Sequence, residues 1–176
     1  LLKLSNNKVI YTLASFYTWI IRGTPMLLQL FFFYYGLPFV GIELEPMTAA
    51  IIGLSLNSGA YMAEIIRGGI LAVDKGQFEA CKALGFTYGK TMTRVVLPQT
   101  IRILIPPVGN EFITMLKDTS LVSAIAMEEL MRAAQQIYSA NFRPMEPFFI
   151  AACIYLALTT VFTTLFSVWE KKLSRY

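Results

Sequence analysis

Five apolar stretches alternate with polar ones along this chain, and their lengths predict which of them cross a bilayer. A spanning helix needs about 20 mostly apolar residues. Residues 11–21 are apolar but short and end at Arg22-Gly23-Thr24-Pro25, so they predict a lead-in helix at the membrane surface. Residues 26–40 predict a first span, opened by Pro25 at a position that suits a first helical residue and closed by a Gly-containing turn with Glu43 and Glu45. Residues 47–73 predict a second span, interrupted by Asn57, Glu64 and Arg67. Residues 99–116 predict a third, broken early by Pro106 and Pro107, and residues 148–169 a fourth, closed by Glu170-Lys171-Lys172. Between these last two, residues 119–139 read as helical but carry Glu128, Glu129 and Arg132 and do not span.

Composition agrees with a membrane protein. Of 176 residues, 56% are hydrophobic and 15% charged, against roughly 25% charged in soluble domains. The net charge of +4 is spread out, with no basic tract suited to nucleic acid. The chain has no His, and Cys81 and Cys153 are far apart, so neither a metal site nor a disulfide framework is indicated. No Gly-x-Ser-x-Gly, His-Glu-x-x-His or phosphate-loop pattern occurs, so the chain is not an enzyme and does not hydrolyse ATP by itself.

Basic residues favour the cytoplasmic side of a membrane. Lys75, Lys82, Lys90 and Arg94 fall in one loop, and Lys3, Lys8, Lys171, Lys172 and Arg175 at the two ends. Both ends and that loop are therefore expected inside. Residues 76–84 of the loop predict a short helix whose Phe78, Cys81 and Leu84 share one apolar face, with Glu79 and Lys82 beside it. Gly85 stands where a left-handed helix cap favours glycine.

Ionisable groups at membrane depth cost roughly 2.5–3.5 kcal/mol each and usually have a role or a partner. Asn57, Tyr61 and Glu64 share one helical face. Asn110, Thr114 and Lys117 share another, with Glu111 and Asp118 on the adjacent one. Asp118, Thr119 and Ser120 suit a new helix start. A helix broken there would aim backbone N–H groups and Lys117 at a substrate carboxylate. The candidate ligand-contacting set is Asn57, Tyr61, Glu64, Glu111, Met115, Lys117 and Asp118. The alternative is that the charges pair among themselves, Glu64 with Arg67 foremost.

Residues 79–98 resemble the docking loop of permease subunits of ATP-binding-cassette importers. That pattern is Glu-Ala-Ala, three residues, Gly, nine residues, Ile-x-Leu-Pro. Glu79, Ala80, Gly85, Leu97 and Pro98 match at the right spacing, with Cys81 for Ala and Val95 for Ile. Arg22-Gly23-Thr24-Pro25, Gln29, Asn57 to Tyr61, Glu64 to Gly69 and Asn110 to Leu121 extend the likeness to the polar-amino-acid branch. The resemblance implies an all-α integral membrane protein of the type I importer permease fold, about four spans here and a fifth upstream. It implies one transmembrane domain, residues 1–176, with a coupling loop at about 74–98. Phe78, Glu79, Ala80 and Gly85 would carry the coupling to the ATPase.

The implied partners are a cytoplasmic ATPase dimer that binds the ATP and Mg, a second permease subunit and an extracytoplasmic amino-acid-binding protein. The implied location is a bacterial inner membrane. Glu64, Glu111 and Asp118 against Lys117 leave a net-negative site, which predicts a basic amino acid: arginine, lysine or histidine. A glutamine- or glutamate-type permease, an ion-coupled secondary transporter and a membrane scaffold are the alternatives.

Overall fold

The computed structural model describes residues 2–5 and 7–173, and every regular element among them is helical. A 3-10 turn at Leu2–Leu4 precedes α1 (Lys8–Gly23), which starts where the Asn7 side chain accepts from the backbone N–H of Val9 at 2.9 Å. α1 stops at Thr24 and Pro25, both extended, because the residue before a proline is pushed out of the helical region. The chain then turns through 104° into α2 (Met26–Phe31). It widens to a π turn at Phe32–Gly36, tightens to a 3-10 turn at Leu37–Val40 and ends on Gly41 at φ 82°. α3 (Pro46–Leu71), α4 (Lys75–Ala83) and α5 (Tyr88–Thr91) follow. A π turn at Met92–Val96 runs on into α6 (Leu97–Asp118) and a 3-10 turn at Thr119–Ile125. α7 (Leu130–Asn141) and α8 (Met145–Leu173) complete the chain.

Among the described residues two helices are long and apolar enough to cross a membrane, Pro46–Leu71 and Met145–Lys172. They number three if the bent pair Lys8–Gly23 and Met26–Val40 forms one broken span. The expected count of about four is thereby reduced, for two physical reasons. Residues 26–40 rise only about 22 Å as a helix, short of the roughly 30 Å hydrocarbon layer. α6, which contains the expected third span, is long enough at 22 residues but carries Arg102, Glu111, Lys117 and Asp118. It can afford them because it packs between α3 and α8 rather than facing lipid alone. Pro106 and Pro107 do not break it; the helix runs through both, as neighbouring helices allow in membrane proteins.

Two apolar clusters hold these helices together. Leu30, Ala49, Ala50, Val122 and Ile125 join α2, α3 and the 3-10 turn after α6. Ile70, Val73 and Val96 join the end of α3 to the π turn before α6, with Phe78 packed against them. Elsewhere large apolar side chains point outward: Leu13, Trp19, Phe149 and Leu156 are each at least 65% exposed. Only 6% of the most apolar stretch of α8 is buried within the chain, against 28% for α3, so α3 is an inner helix and α8 a peripheral one.

Gln29 fastens the bend. Its Nε2 donates to the Ile21 carbonyl at 2.7 Å and reaches the Thr24 carbonyl at 3.1 Å and Oγ1 at 2.9 Å. These acceptors cluster at the end of α1, where helix carbonyls run out of intrahelical partners. Its Oε1 accepts from Asn57 Nδ2 at 3.0 Å, tying the bend to α3 through a buried contact.

Gln29→Leu is expected to destabilise the subunit by about 1–3 kcal/mol for each polar group it orphans. Asn57→Ala should add less than its own single cost when combined with it, since both disrupt one network. Thermal unfolding of the purified subunit in detergent, run on both single variants and the double, checks this coupling.

Candidate functional site

The 104° bend opens a cavity of about 510 Å³ against α3 and α6. Arg22, Gly23, Thr24, Pro25 and Met26 line it from the bend, Asn57 and Tyr61 from α3, and Glu111, Thr114 and Asp118 from α6. Such a volume lies within the range of roughly 300–1,000 Å³ that holds small ligands. Two carboxylates and one guanidinium face it, a net charge of −1. The Arg22 guanidinium lies over the Tyr61 ring at 5.1 Å from its centroid.

Of the seven candidate ligand-contacting residues, Asn57, Tyr61, Glu111 and Asp118 line this cavity; Glu64, Met115 and Lys117 do not. Lys117 is exposed and sits about 120° around α6 from Glu111 at 100° per residue. Thr114 therefore groups with Glu111 and Asp118, not with Lys117 as the expected stripe had it. Met115 is half-buried. Asn57 is buried, and its amide N–H₂ is engaged with Gln29.

Glu64 faces an ionic cluster instead. Its Oε1 pairs with Lys3 Nζ, which also donates to Thr18 Oγ1 at 3.0 Å. Its Oε2 accepts from Arg67 Nη2 at 2.7 Å and Nε at 2.9 Å, and Arg22 Nη1 stands 3.9 Å away. The alternative reading of Glu64 as an internally paired charge is the one the geometry adopts. Buried ions persist where partners compensate the loss of water.

The expected helix break after Asp118 is absent. Asp118 and Thr119 keep helical backbone angles, and the chain only tightens into a 3-10 turn. Thr119 Oγ1 donates back to the Leu116 carbonyl and Ser120 Oγ to the Lys117 carbonyl, both at 2.7 Å. The hydroxyls bond backward to the preceding turn and leave no free helix start, a known alternative for Ser and Thr.

Sequence reasoning passed over the bend as a source of site residues. Arg22, a lone cation ending an apolar run before Gly-Thr-Pro, was the available signal. Only the packing of α1 along α3, just ahead of the 104° turn, sets it over Tyr61 and on the wall shared with α6.

At the other end of the chain's fold, α4 begins at Asp74, whose Oδ1 accepts from the Gly76 N–H at 2.7 Å. It ends with Gly85 at φ 72°, where the Gly85 N–H donates to Lys82 and the Phe86 N–H to Cys81. This paired closure is a Schellman cap and needs the left-handed conformation that glycine adopts at little cost. The expected common face of Phe78, Cys81 and Leu84 is divided. Phe78 is half-buried and Cys81 buried, both turned toward the body, whereas Leu84 is 74% exposed. Glu79 and Ala80 are exposed. Phe78, Lys82, Phe86, Tyr88 and Thr91 line a hollow of about 280 Å³ beside them.

Comparison with known proteins gives this geometry a context. Residues 1–175 match the family described as binding-protein-dependent transport system inner membrane component. The arginine transport system permease protein ArtQ of Bacillus subtilis is 43% identical, over 98% of this chain and 80% of that protein. The L-cystine transport system permease protein TcyB of the same organism is 44% identical over all of this chain and 76% of its own length. A putative glutamine transport system permease protein GlnP of Rickettsia felis is 39% identical over 97% of this chain and 79% of its own. A solved amino acid ABC transporter with histidines superposes with a TM-score of 0.93 at 45% identity, covering 97% of this chain and 80% of that one. The MetNI methionine ABC transporter shares the fold with a TM-score of 0.78 at 19% identity, over 95% of this chain and 77% of that one. The chain therefore belongs to the binding-protein-dependent transport system inner membrane component family, as a permease subunit of an amino-acid ABC importer.

Proposed function

We propose that the cavity beneath the α1–α2 bend is the substrate site and that it takes a basic amino acid, arginine first. The observation that carries this reading is the pairing of two carboxylates, Glu111 and Asp118, with one guanidinium, Arg22, around about 510 Å³. Arg22 takes the α-carboxylate, since its planar fork matches carboxylate geometry. This role passes to Arg22 from Lys117, which is exposed outside the cavity. Glu111 and Asp118 share the α-ammonium and the cationic side chain, and Tyr61 offers a ring face. With Glu64 outside the cavity and paired to Lys3 and Arg67, the cavity keeps a net charge of −1, so the preference for a cation survives. The arginine system among the relatives and the histidines of the solved transporter support this substrate class. The putative glutamine permease supports a second reading, in which a neutral polar amino acid is carried.

In the same reading the exposed α4 segment, with Glu79, Ala80 and Leu84, docks a cytoplasmic ATPase dimer, to which ATP and Mg belong. Family membership implies an ATPase partner and a second permease subunit. An extracytoplasmic binding protein would deliver the ligand. Both chain ends and residues 74–98 then lie on the cytoplasmic side of a bacterial inner membrane, where their Lys and Arg residues favour them.

In complex reconstituted with its ATPase, Glu111→Gln and Asp118→Asn are each expected to raise the KM for arginine. The rise should be about ten- to a hundredfold, the worth of one charge-assisted hydrogen bond of about 1.5–3 kcal/mol. Competition uptake assays check it, and displacement of arginine by glutamine at lower concentration would reject the basic substrate.

Gly85→Val and Glu79→Lys should leave the subunit inserted but uncouple it. Valine strains a left-handed position by about 1–2 kcal/mol and redirects the end of α4, while Glu79→Lys reverses an exposed charge. Substrate-stimulated ATP hydrolysis and co-purification of the ATPase measure the effect. Normal values of both would remove α4 as the docking element.

A further inference from the structure

We propose that Glu64, outside the cavity, is a positioning residue that keeps Arg22 from closing the site on itself; this rests on the cavity being the substrate site. The geometry poses a specific problem. Arg22 shares the cavity with the carboxylates of Glu111 and Asp118, toward which a long, flexible side chain could swing. Such a swing would place a guanidinium in the subsite of the incoming cation. In low-dielectric surroundings that internal pair would be hard to displace.

The structure shows Arg22 turned to Glu64 and Tyr61. Its Nη1 lies 3.9 Å from Glu64 Oε2, and its guanidinium rests on the Tyr61 ring. Glu64 is already hydrogen-bonded by Lys3 and Arg67, so its pull on Arg22 is Coulombic, without a hydrogen bond to fix it. Among the described residues no side-chain hydrogen bond involves the Arg22 guanidinium. Its five donors thus stay available to a ligand carboxylate. Glu64 is one carboxylate facing three cations: Lys3 and Arg67 hydrogen-bond to it, and Arg22 is its outlying member. That arrangement restrains Arg22 firmly enough to keep it off Glu111 and Asp118 and loosely enough to be surrendered. Glu64→Gln removes the restraint and lets Arg22 fall onto the cavity carboxylates.

The test uses the whole permease–ATPase complex and two probes, arginine and agmatine, the latter being arginine without its carboxylate. Binding is measured by calorimetry. Glu64→Gln is expected to weaken both probes by about tenfold or more, because Arg22 then occupies the cationic subsite. Arg22→Gln alone should weaken arginine but not agmatine. The double variant Arg22→Gln/Glu64→Gln should restore agmatine binding to within about twofold of the unmodified complex. A role for Glu64 in folding alone predicts no such rescue. Lys3→Gln/Glu64→Gln, which removes one cation with the carboxylate, gives the same readout if Glu64→Gln does not assemble. An experimental structure of the Glu64→Gln complex should show the Arg22 guanidinium on Glu111 or Asp118. If Arg22 stays over Tyr61, or if agmatine binding is not rescued, the positioning role is overturned. If the unmodified complex binds neither probe, the basic-substrate reading fails instead, and the position of Arg22 in the Glu64→Gln structure still decides the role of Glu64.

Discussion

A single amide, that of Gln29, sits where three requirements of this fold meet. A helix that ends inside a membrane protein exposes carbonyl groups with no water to receive them. The Gln29 Nε2 meets the Ile21 and Thr24 carbonyls, and its Oε1 meets Asn57 on α3. The Thr24-Pro25 step ends α1 here, and these bonds satisfy the carbonyls that the 104° turn frees. With them, the bend becomes a fixed wall, and Arg22 to Met26 face α3 and α6 across a cavity.

The charges divide into two groups that do different things. Around Glu64 the cations of Lys3 and Arg67 satisfy one carboxylate, and the cluster links the 3-10 turn at the start of the chain to α1 and α3. Around the cavity, Glu111 and Asp118 outnumber Arg22 and stay turned toward open space. Arg22 belongs to both, at 3.9 Å from Glu64 and on the cavity wall. Ion pairs satisfied within the chain hold helices in register. Charges left facing a cavity are costly unless a ligand answers them.

α6 joins the loop after α3 to the cavity wall. The helical path from Tyr88 through the π turn to Asp118 runs without a break from the residues just after Gly85 to the cavity carboxylates. Pro98 has no N–H to offer the Arg94 carbonyl, and the π turn lies immediately before it. A π turn is a site where a helix bends with little loss of hydrogen bonding. Val96 inside that turn is fully buried against Ile70 and Val73. Displacement of the exposed α4 segment therefore meets packed side chains rather than slack loop.

The all-helical membrane character, the short helix in the loop after α3 and its glycine cap were legible in the sequence, because each is local. Apolar runs set helix length, Asp74 and Gly85 set the ends of α4, and the spacing of Glu79, Ala80, Gly85, Leu97 and Pro98 marks the family. Glu111 and Asp118 were visible for the same reason, as carboxylates seven residues apart on one helix. What the sequence did not contain was direction. Helical periodicity placed Glu64 beside Asn57 and Tyr61, but Lys3, sixty-one positions away, claims it. The same periodicity offered Lys117 as the carboxylate partner, whereas the packing of α1 along α3 delivers Arg22 from a different helix. Periodicity put Phe78, Cys81 and Leu84 on one face, but Phe78 packs on Ile70, Val73 and Val96 and Cys81 is buried, while Leu84 is exposed. A residue's period along a helix decides its face; only the neighbours that pack there decide whether that face meets solvent, lipid, another charge or a ligand.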